Sequence, residues 1–369
     1  MEAQAILHDT FFVLFYGGVI MFNLLPALYL LLRQANAIAP EVTSPVRLRR
    51  WAAVFLISCA ISHVSWLVYT YSYYPAIIPY IIVCGLDLVL IFPSIVGILL
   101  SMLQDRRRPF WPFLIMMIPA VVLVIINVFL GSTSLGVAIS AYVVLLCALL
   151  IVFVFLAVRR YRLWLRDNYA DLERKEIWQS VLILALFMLF FVVYSVTTGK
   201  SRIMAYLFQI YSVILVGLLI WRVETLQELS GTALPDGAES SDDEDDKVNA
   251  TPQAIPASIG PLLKQKCEDA QLYLEHDLSL AQLAQAIGTN RYYLSQYFAQ
   301  QGLTYNTYIN NLRIRHFTGL YHKAVEEGRS FTAQQLASES GYHSYSTFSA
   351  VFKQHTGKTV TAWMKGIPQ

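Results

Sequence analysis

Long uninterrupted runs of apolar residues dominate the chain from its beginning to Arg222. Seven of these runs reach about 20 residues, the length that an α-helix needs to cross roughly 30 Å of hydrocarbon. Because lipid offers backbone N–H and C=O groups no hydrogen-bond partner, each run is expected to form a helix. The predicted spans are Thr10 to Leu32, Trp51 to Tyr71, Ile77 to Leu103, Phe110 to Leu130, Gly136 to Val158, Ile177 to Thr197 and Ile203 to Trp221.

The composition supports a membrane-embedded first part. Of the 369 residues, 56% are apolar and only 14% are charged, against about 25% charged residues in ordinary soluble proteins. The segment Met1 to Asp9 contains no Lys or Arg, and the run that follows is too long for the apolar part of a signal peptide, so we expect a retained span. These features argue against a purely cytosolic enzyme.

Lys and Arg residues are distributed unequally between the loops. The loops after spans two, four and six contain Lys200 and Arg202, whereas thirteen such residues occupy the loops after spans one, three and five. Loops rich in positive charge stay in the cytoplasm, so the sequence predicts an N-terminus outside and a C-terminal part in the cytoplasm. The thirteen residues are Arg33, Arg47, Arg49, Arg50, Arg106, Arg107, Arg108, Arg159, Arg160, Arg162, Arg166, Arg174 and Lys175.

Two ionisable residues lie deep within predicted spans, where such groups are costly and rare. At a rise of ~1.5 Å per residue, His63 lies about 12 Å and Asp87 about 15 Å from the outer surface. One interpretation is a proton- or ligand-responsive pair that lines an outward cavity. The other is an interhelical hydrogen bond that only fixes the packing. The tyrosines at the mouth of such a cavity would be Tyr69, Tyr71, Tyr73, Tyr74 and Tyr80.

The spans lack the sequence features of several other membrane activities. The last run contains no lysine to hold a retinal, and the spans show no inverted repeat of the kind found in transporters. No catalytic constellation accompanies His63 and Asp87, so we expect no enzyme and no cofactor. The cysteines have no paired spacing, which indicates neither a disulfide framework nor a zinc site. They are Cys59, Cys84, Cys147 and Cys267.

An acidic segment separates the apolar part from a polar C-terminal part. Between Gly231 and Ile259, seven acidic residues oppose Lys247 alone, and such a composition does not bury enough apolar surface to fold. Beyond it, ten Lys or Arg residues oppose seven acidic ones, a mild positive charge that permits nucleic-acid binding without requiring it. The predicted domains are a membrane domain at 1–229, a disordered linker at 230–259 and a folded domain at 260–369. Val223, Leu226 and Leu229 continue the last span as a stripe suited to pairing or to transmitting a rotation.

A sequence repeat lies in the C-terminal part. Leu283 to Gly288 recurs 53 residues later as Leu336 to Gly341. In each copy a short helix ends at glycine, a turn follows, and a second helix carries an apolar pair at i and i+4. These pairs are Leu294 with Phe298 and Phe348 with Phe352. One such helix-turn-helix occurs in many helical bundles, whereas two copies with matching core spacing favour DNA binding.

The second helix of a helix-turn-helix enters the major groove, where base edges present distinguishable donors and acceptors. Both second helices offer polar side chains suited to bonding bases and phosphates. The candidate DNA-binding residues are Asn290, Arg291, Tyr292, Tyr293, Ser295 and Gln296 in copy one, and Ser344, Tyr345, Ser346, Thr347, Ser349 and Lys353 in copy two, where His343 precedes them.

Several short stretches of the C-terminal part resemble the DNA-binding domain of AraC/XylS-type transcriptional regulators. The resemblance runs from about Leu262 to Lys365 and is strongest in the second copy. It rests on Leu280 to Ala284, Thr289 to Ser295, Tyr308 to Ile314, Leu336-Ala337, Gly341 to Phe348, Phe352-Lys353 and Gly357 to Thr359. It implies two helix-turn-helix subdomains, joined by a long helix at about Tyr305 to Tyr321, that bind two consecutive major-groove segments on one face of the DNA.

Two positions depart from the family pattern. Ala350 stands where the family often has Arg, which would weaken a phosphate contact of the second copy. Val360 stands where the family commonly has Pro, which affects only a local turn. Base contacts are therefore expected mainly from copy one. The resemblance also implies a bacterial inner-membrane protein, and the family's habit suggests a homodimer on directly repeated half-sites.

The sequence as a whole predicts an all-α protein, with a seven-helix membrane bundle and a cytoplasmic domain of two helix-turn-helix subdomains. The favoured function is a membrane-bound, one-component transcription regulator whose partners are double-stranded DNA and the lipid bilayer. A small-molecule or lipid ligand sensed near the membrane would modulate it. The alternatives are a transporter or channel with a DNA-binding reporter domain, or a membrane half that is a passive anchor.

Overall fold

A computed structural model describes residues 10–33, 35–71, 77–106, 108–131, 133–172, 175–182, 185, 202–229 and 258–366. Within these residues the chain is helical and contains no β-strand, which confirms the predicted all-α class. The chain divides into two compact units, one of residues 1–161 and 176–229, the other of residues 162–175 and 230–369. Nearly all of the predicted acidic linker lies outside the described residues.

Long apolar helices make up the first unit. They are α1 (Thr10–Leu32), α2 (Val46–Tyr71), α3 (Ile77–Met102), α4 (Trp111–Leu130), α5 (Gly136–Asn168) and α6 (Arg202–Thr225). All six are long and apolar enough to span a membrane, and they correspond to six of the seven predicted spans. Most of the remaining predicted span, Ile177 to Thr197, lies outside the described residues.

Helix α5 extends ten residues beyond the predicted end of its span at Val158. The apolar run stops where Arg159 and Arg160 begin, but arginine is a good helix former and does not end a helix. Ala157, Tyr161 and Leu165 recur at every fourth position and are all buried. The buried face of the helix therefore continues beyond the end of the apolar run from which the span was predicted.

Neighbouring helices of the first unit pack in sequence order, with α1 against α2, α2 against α3 and α3 against α4, while α6 packs against α1 and α2. A small residue permits one close approach. A Cβ atom at Gly97 of α3 would lie 2.2 Å from the ring of Trp51 of α2, so only glycine fits there. Small residues at helix contacts are typical of membrane bundles, where packing rather than hydrophobicity drives association.

The end of α6 is held within the first unit. The Glu224 carboxylate accepts hydrogen bonds from the backbone N–H groups of Ala37 and Ile38 at 3.1 and 2.8 Å, and from the Tyr29 hydroxyl. The Gln104 side chain bonds the backbone at Gln227 and Leu229. The predicted pairing stripe is also buried in this unit. Its residues Val223, Leu226 and Leu229 are at most 3% exposed, so they do not form a free surface for a second copy.

Shorter helices make up the second unit. They are α7 (Ile259–Leu263), continued by a π-helical turn (Lys264–Asp269) and a 3-10 turn (Leu272–Leu274), then α8 (Leu280–Ile287), α9 (Arg291–Gln300), α10 (Tyr305–Glu326), α11 (Ala333–Glu339), α12 (Tyr345–Thr356) and α13 (Val360–Lys365). Helix α10 is the long connecting helix, and it runs five residues beyond its predicted end at Tyr321.

Two separate hydrophobic cores form on the two halves of α10. Tyr305 and Ile309 from its first half pack in one core with α8 and α9. Phe317 and Tyr321 from its second half pack in the other core with α11 and α12. Each helix pair thus has its own core, and the two subdomains share one continuous helix, as the family resemblance implies.

Candidate nucleic-acid interface

The first helix pair is built by local signals in its sequence. Ser279 precedes α8 as a capping box, in which its hydroxyl accepts from the Gln282 N–H and the Gln282 side chain accepts from the Ser279 N–H. Gly288 ends α8 with a φ of +73°, a left-handed conformation that glycine adopts without strain. Asn290 then caps α9, because its side-chain oxygen accepts from the Tyr293 N–H at 2.9 Å.

Helix α9 has one polar face opposite its core residues Leu294 and Phe298. Ser295 on this face is exposed, and Tyr292 and Gln296 beside it are half-buried and share a hydrogen bond of 2.7 Å. Arg291 is exposed in the first turn of α9, on the side of the helix that carries Leu294 one turn later. Of the other candidates in copy one, Asn290 uses its amide oxygen for the helix cap, and Tyr293 packs against the core. Fewer residues of copy one are therefore available for contacts with DNA than the sequence predicted.

The second helix pair repeats the construction of the first. Thr332 and Gln335 form a capping box at the start of α11, 53 residues after Ser279 and Gln282. Ser344 caps α12 by accepting from the Thr347 N–H, and it lies 54 residues after Asn290. The turn of copy two is thus one residue longer than that of copy one.

Helix α12 also has a polar face opposite its buried pair, Phe348 and Phe352. Ser346 and Lys353 are exposed and Ser349 is half-buried, and these three candidates share one side of the helix. Tyr345 is exposed in the first turn, where its ring centre lies 5.8 Å from that of Phe348. The hydroxyls of Ser344 and Thr347 bond each other at 3.0 Å. The two residues that depart from the family pattern lie on this helix and the next. Ala350 is exposed on α12, and Val360 is buried as the first residue of α13.

A buried arginine joins the two subdomains, and the sequence analysis missed it. Arg313 of α10 is 1% exposed. Its Nε donates to the Tyr273 carbonyl at 2.8 Å and one terminal nitrogen donates to the Glu275 carbonyl at 2.5 Å. Its guanidinium also lies 5.5 Å from the ring centre of Tyr342, at the start of the second turn. A charged residue in the family-like stretch Tyr308 to Ile314 suggested a surface position, whereas these long-range contacts make it a core residue.

Gly341 allows this arrangement. Its φ is +85°, and a Cβ atom there would lie 2.8 Å from the Leu274 carbonyl oxygen and 3.0 Å from Nε of Arg313. The second glycine of the sequence repeat is therefore needed for close backbone approach as well as for its left-handed conformation. Gly288, its counterpart in copy one, has no atom within 4 Å of such a Cβ.

Burial shifts the pKa values of Arg313 and of the ionisable groups around it. Desolvation raises the pKa of the Cys267 thiol to about 12 and raises the pKa of the Tyr342 phenol, while it lowers the pKa of Arg313. The thiol and the phenol therefore stay neutral at physiological pH and serve as packing groups. The guanidinium of Arg313 donates to two backbone carbonyls, and such hydrogen bonds favour its charged form.

The two ionisable residues of the spans have separate hydrogen-bond partners. Nδ1 of His63 lies 2.7 Å from the Cys59 carbonyl oxygen and Nε2 lies 3.2 Å from Oε1 of Gln209 in α6. The Asp87 carboxylate accepts from the Trp66 indole N–H at 2.8 Å. The rings of Trp66, Tyr69 and Tyr80 contact one another at about 6 Å beside it. Of the other predicted mouth residues, Tyr73 and Tyr74 lie outside the described residues, as does the side chain of Tyr71.

Comparison with known proteins defines the class of the second unit. Residues 283–366 match a family model described as a helix-turn-helix domain, and this range contains both turns, both second helices and the connecting helix. The chain therefore carries an AraC-type helix-turn-helix domain, which confirms the predicted resemblance. The match covers 84 of the 369 residues. No curated protein and no solved structure matches the chain.

Proposed function

We propose that this chain is a membrane-anchored, one-component transcription regulator that binds double-stranded DNA through α9 and α12. The domain match supports a DNA-binding regulator. The observation that carries the proposal is the repeated construction of the two helix pairs, each with a capped second helix whose polar face lies opposite a buried apolar pair. One long helix connects them, which suits two consecutive contacts along one face of a duplex.

Arg291 and Lys353 are the residues that we propose to contribute most to DNA affinity. Arg291 begins α9 and Lys353 lies on the polar face of α12, and both side chains are exposed. Arginine bonds guanine edges or phosphates, and lysine neutralises phosphates. Asn290 and Ser344 contribute indirectly, because they cap the helices that present these faces.

Genome-wide DNA occupancy of the intact protein in cells tests the proposal. We expect discrete peaks for the wild type and their loss in an Arg291→Ala, Lys353→Ala variant, since each lost contact weakens binding by about 1–3 kcal/mol. Asn290→Ala is a poorer choice, because it also removes a helix cap that contributes about 1 kcal/mol to stability.

The control removes the same charge elsewhere. Lys323 and Arg329 are exposed and lie outside both second helices, and Lys323 makes only a long ion pair with Glu327 at 3.9 Å. The Lys323→Ala, Arg329→Ala variant should keep its peaks. Equal occupancy by the wild type and the Arg291, Lys353 variant would contradict the proposed interface. Absence of peaks from the wild type under several growth conditions would contradict DNA binding as the function.

We further propose that the membrane half senses a signal through the groups around His63 and Asp87. Their contacts join three helices, α2, α3 and α6, so a change in either group alters how these helices pack. In the same occupancy experiment, His63→Leu should remove the dependence of the peaks on growth condition at unchanged protein level. Ser65→Ala, on the exposed side of α2, should not. If regulation is unchanged in the His63 variant, the sensing proposal is wrong and the membrane half is a passive anchor.

A further inference from the structure

A segment from the first half of the chain is part of the DNA-binding unit. Residues 162–175, which comprise the end of α5 and the turn after it, cluster with residues 230–369. Ala170 of this segment is 2% exposed and belongs to the hydrophobic core of the first subdomain, together with Leu278 and Ile309. The segment therefore completes a core that is otherwise formed by residues far along the chain.

Hydrogen bonds fasten this segment to the start of α10. Nδ2 of Asn306 donates to the carbonyl oxygens of Tyr169 and Ala170 at 3.1 and 2.6 Å. Nδ2 of Asn310, one turn further, donates to the Ala170 carbonyl at 3.3 Å. Two side-chain amides thus satisfy backbone groups of the segment, which is a specific contact rather than simple apolar packing.

Two further contacts fasten the segment to the start of α8. The Lys175 ammonium lies 3.1 Å from the Asp277 carboxylate, and Tyr169 pairs with Ser279 as an isolated antiparallel bridge. Ser279 is the residue that caps α8. The segment consequently contacts the beginning of two helices of the first subdomain.

The segment also engages the start of the DNA-contacting helix α9. The guanidinium of Arg291 lies 5.9 Å from the ring centre of Trp164. In a helix-turn-helix the first residues of the second helix contact base edges. Arg291 is the first residue of α9.

We propose that the 162–175 segment is an inhibitory element that holds Arg291 and competes with DNA for it. The proposal requires that Arg291 leave the ring of Trp164 when it bonds a phosphate or a guanine edge, so that the cation–π contact is lost on DNA binding and opposes it. This inference rests on the proposed function, because it requires that α9 binds DNA. Trp164 lies near the end of helix α5, which runs without a break from Gly136 to Asn168.

The test measures DNA affinity of the full chain in lipid nanodiscs, with a duplex selected from a random pool by the wild-type protein. Trp164→Ala should bind this duplex about two- to fivefold more tightly, the factor that corresponds to loss of one exposed cation–π contact. Leu163→Ala is the matched control, because Leu163 is the exposed neighbour on the same helix. Its affinity should equal that of the wild type.

A second variant removes the whole segment from its place. Ala170→Asp puts a carboxylate into the apolar core, which should expel the segment and increase DNA affinity at least as much as Trp164→Ala does. Hydrogen exchange of residues 280–326 shows whether the subdomain itself remains folded. If the subdomain of the Ala170→Asp variant is unfolded, the DNA affinity of the Trp164→Ala variant alone tests the proposal.

Affinity of Trp164→Ala equal to or weaker than that of Leu163→Ala would overturn the proposal. The segment would then be a structural support of the subdomain rather than an inhibitor. Failure of the proposed function gives a different result, in which neither the wild type nor any variant binds a duplex.

Discussion

At the scale of single residues, Gly341 combines a left-handed backbone conformation with a close approach to neighbouring atoms, so a side chain at this position should destabilise the fold. Gly341→Ala introduces a Cβ atom at 2.8 Å from the Leu274 carbonyl oxygen in a left-handed conformation. We expect a loss of at least about 2 kcal/mol of stability, because the strain of the conformation adds to the steric clash. Hydrogen exchange of residues 330–366 in the full chain measures this loss.

Gly357 provides the matched control for this substitution. Its φ is +74°, close to that of Gly341, but no atom lies within 4 Å of a Cβ built on it. Gly357→Ala should therefore cost only the conformational strain, about 1 kcal/mol. Equal effects of the two substitutions would mean that the contact with Leu274 and Arg313 contributes nothing.

At the scale of helices, capping residues decide where the helix pairs begin. Thr332→Ala removes the capping box of α11 and should destabilise this helix by about 1 kcal/mol. Thr332→Ser retains the hydroxyl and should leave the stability nearly unchanged. Faster hydrogen exchange of residues 333–340 in the alanine variant alone is the expected outcome. Equal exchange in both variants would show that tertiary packing, rather than the cap, holds α11.

The same scale shows how well local pattern predicted the helices. The repeat placed both turns and both second helices correctly, because glycine conformation, capping residues and i,i+4 apolar pairs act over a few residues. The ends of α5 and α10 were predicted too early. Both helices continue through polar residues that packing keeps in helical conformation. Because these residues form no apolar run, the sequence pattern did not indicate the extension.

At the scale of the whole molecule, the orientation in the membrane is the main prediction. The apolar runs predict seven spans, and the uneven distribution of Lys and Arg places residue 200 outside and the C-terminus in the cytoplasm. A reporter enzyme that is active only outside the cytoplasm should be active when fused after Lys200 and inactive when fused after Gln369. Activity after Gln369 and none after Lys200 would mean that the Ile177 to Thr197 run does not cross the membrane.

A fusion after Trp51 serves as the reference for this experiment. Four arginines precede it in the loop after the first span, so the reporter should be inactive there in either arrangement of the later spans. Activity after Trp51 would contradict the predicted orientation itself rather than the number of spans.

The positions of the candidate residues on their helices were predicted in part, while their role in DNA binding stays a prediction. Ser295 and Gln296 lie on the side of α9 away from Leu294 and Phe298, and Ser346, Ser349 and Lys353 lie on one face of α12, because both faces follow from helical periodicity. The sequence did not separate these residues from Asn290, Ser344 and Tyr293. Capping bonds and core packing determine what those three side chains do, and both depend on how the second helix meets its neighbours.

The sequence by itself determined the class of this protein: apolar runs of spanning length, then a repeated helix-turn-helix whose turns and caps are encoded within a few residues. Only the tertiary structure decided that Arg313 is buried between the two subdomains and that the 162–175 segment joins the first of them. These contacts connect residues 29 to 140 positions apart. Their formation depends on the three-dimensional fit of backbone carbonyls and side-chain amides, which no local pattern of polar and apolar residues specifies.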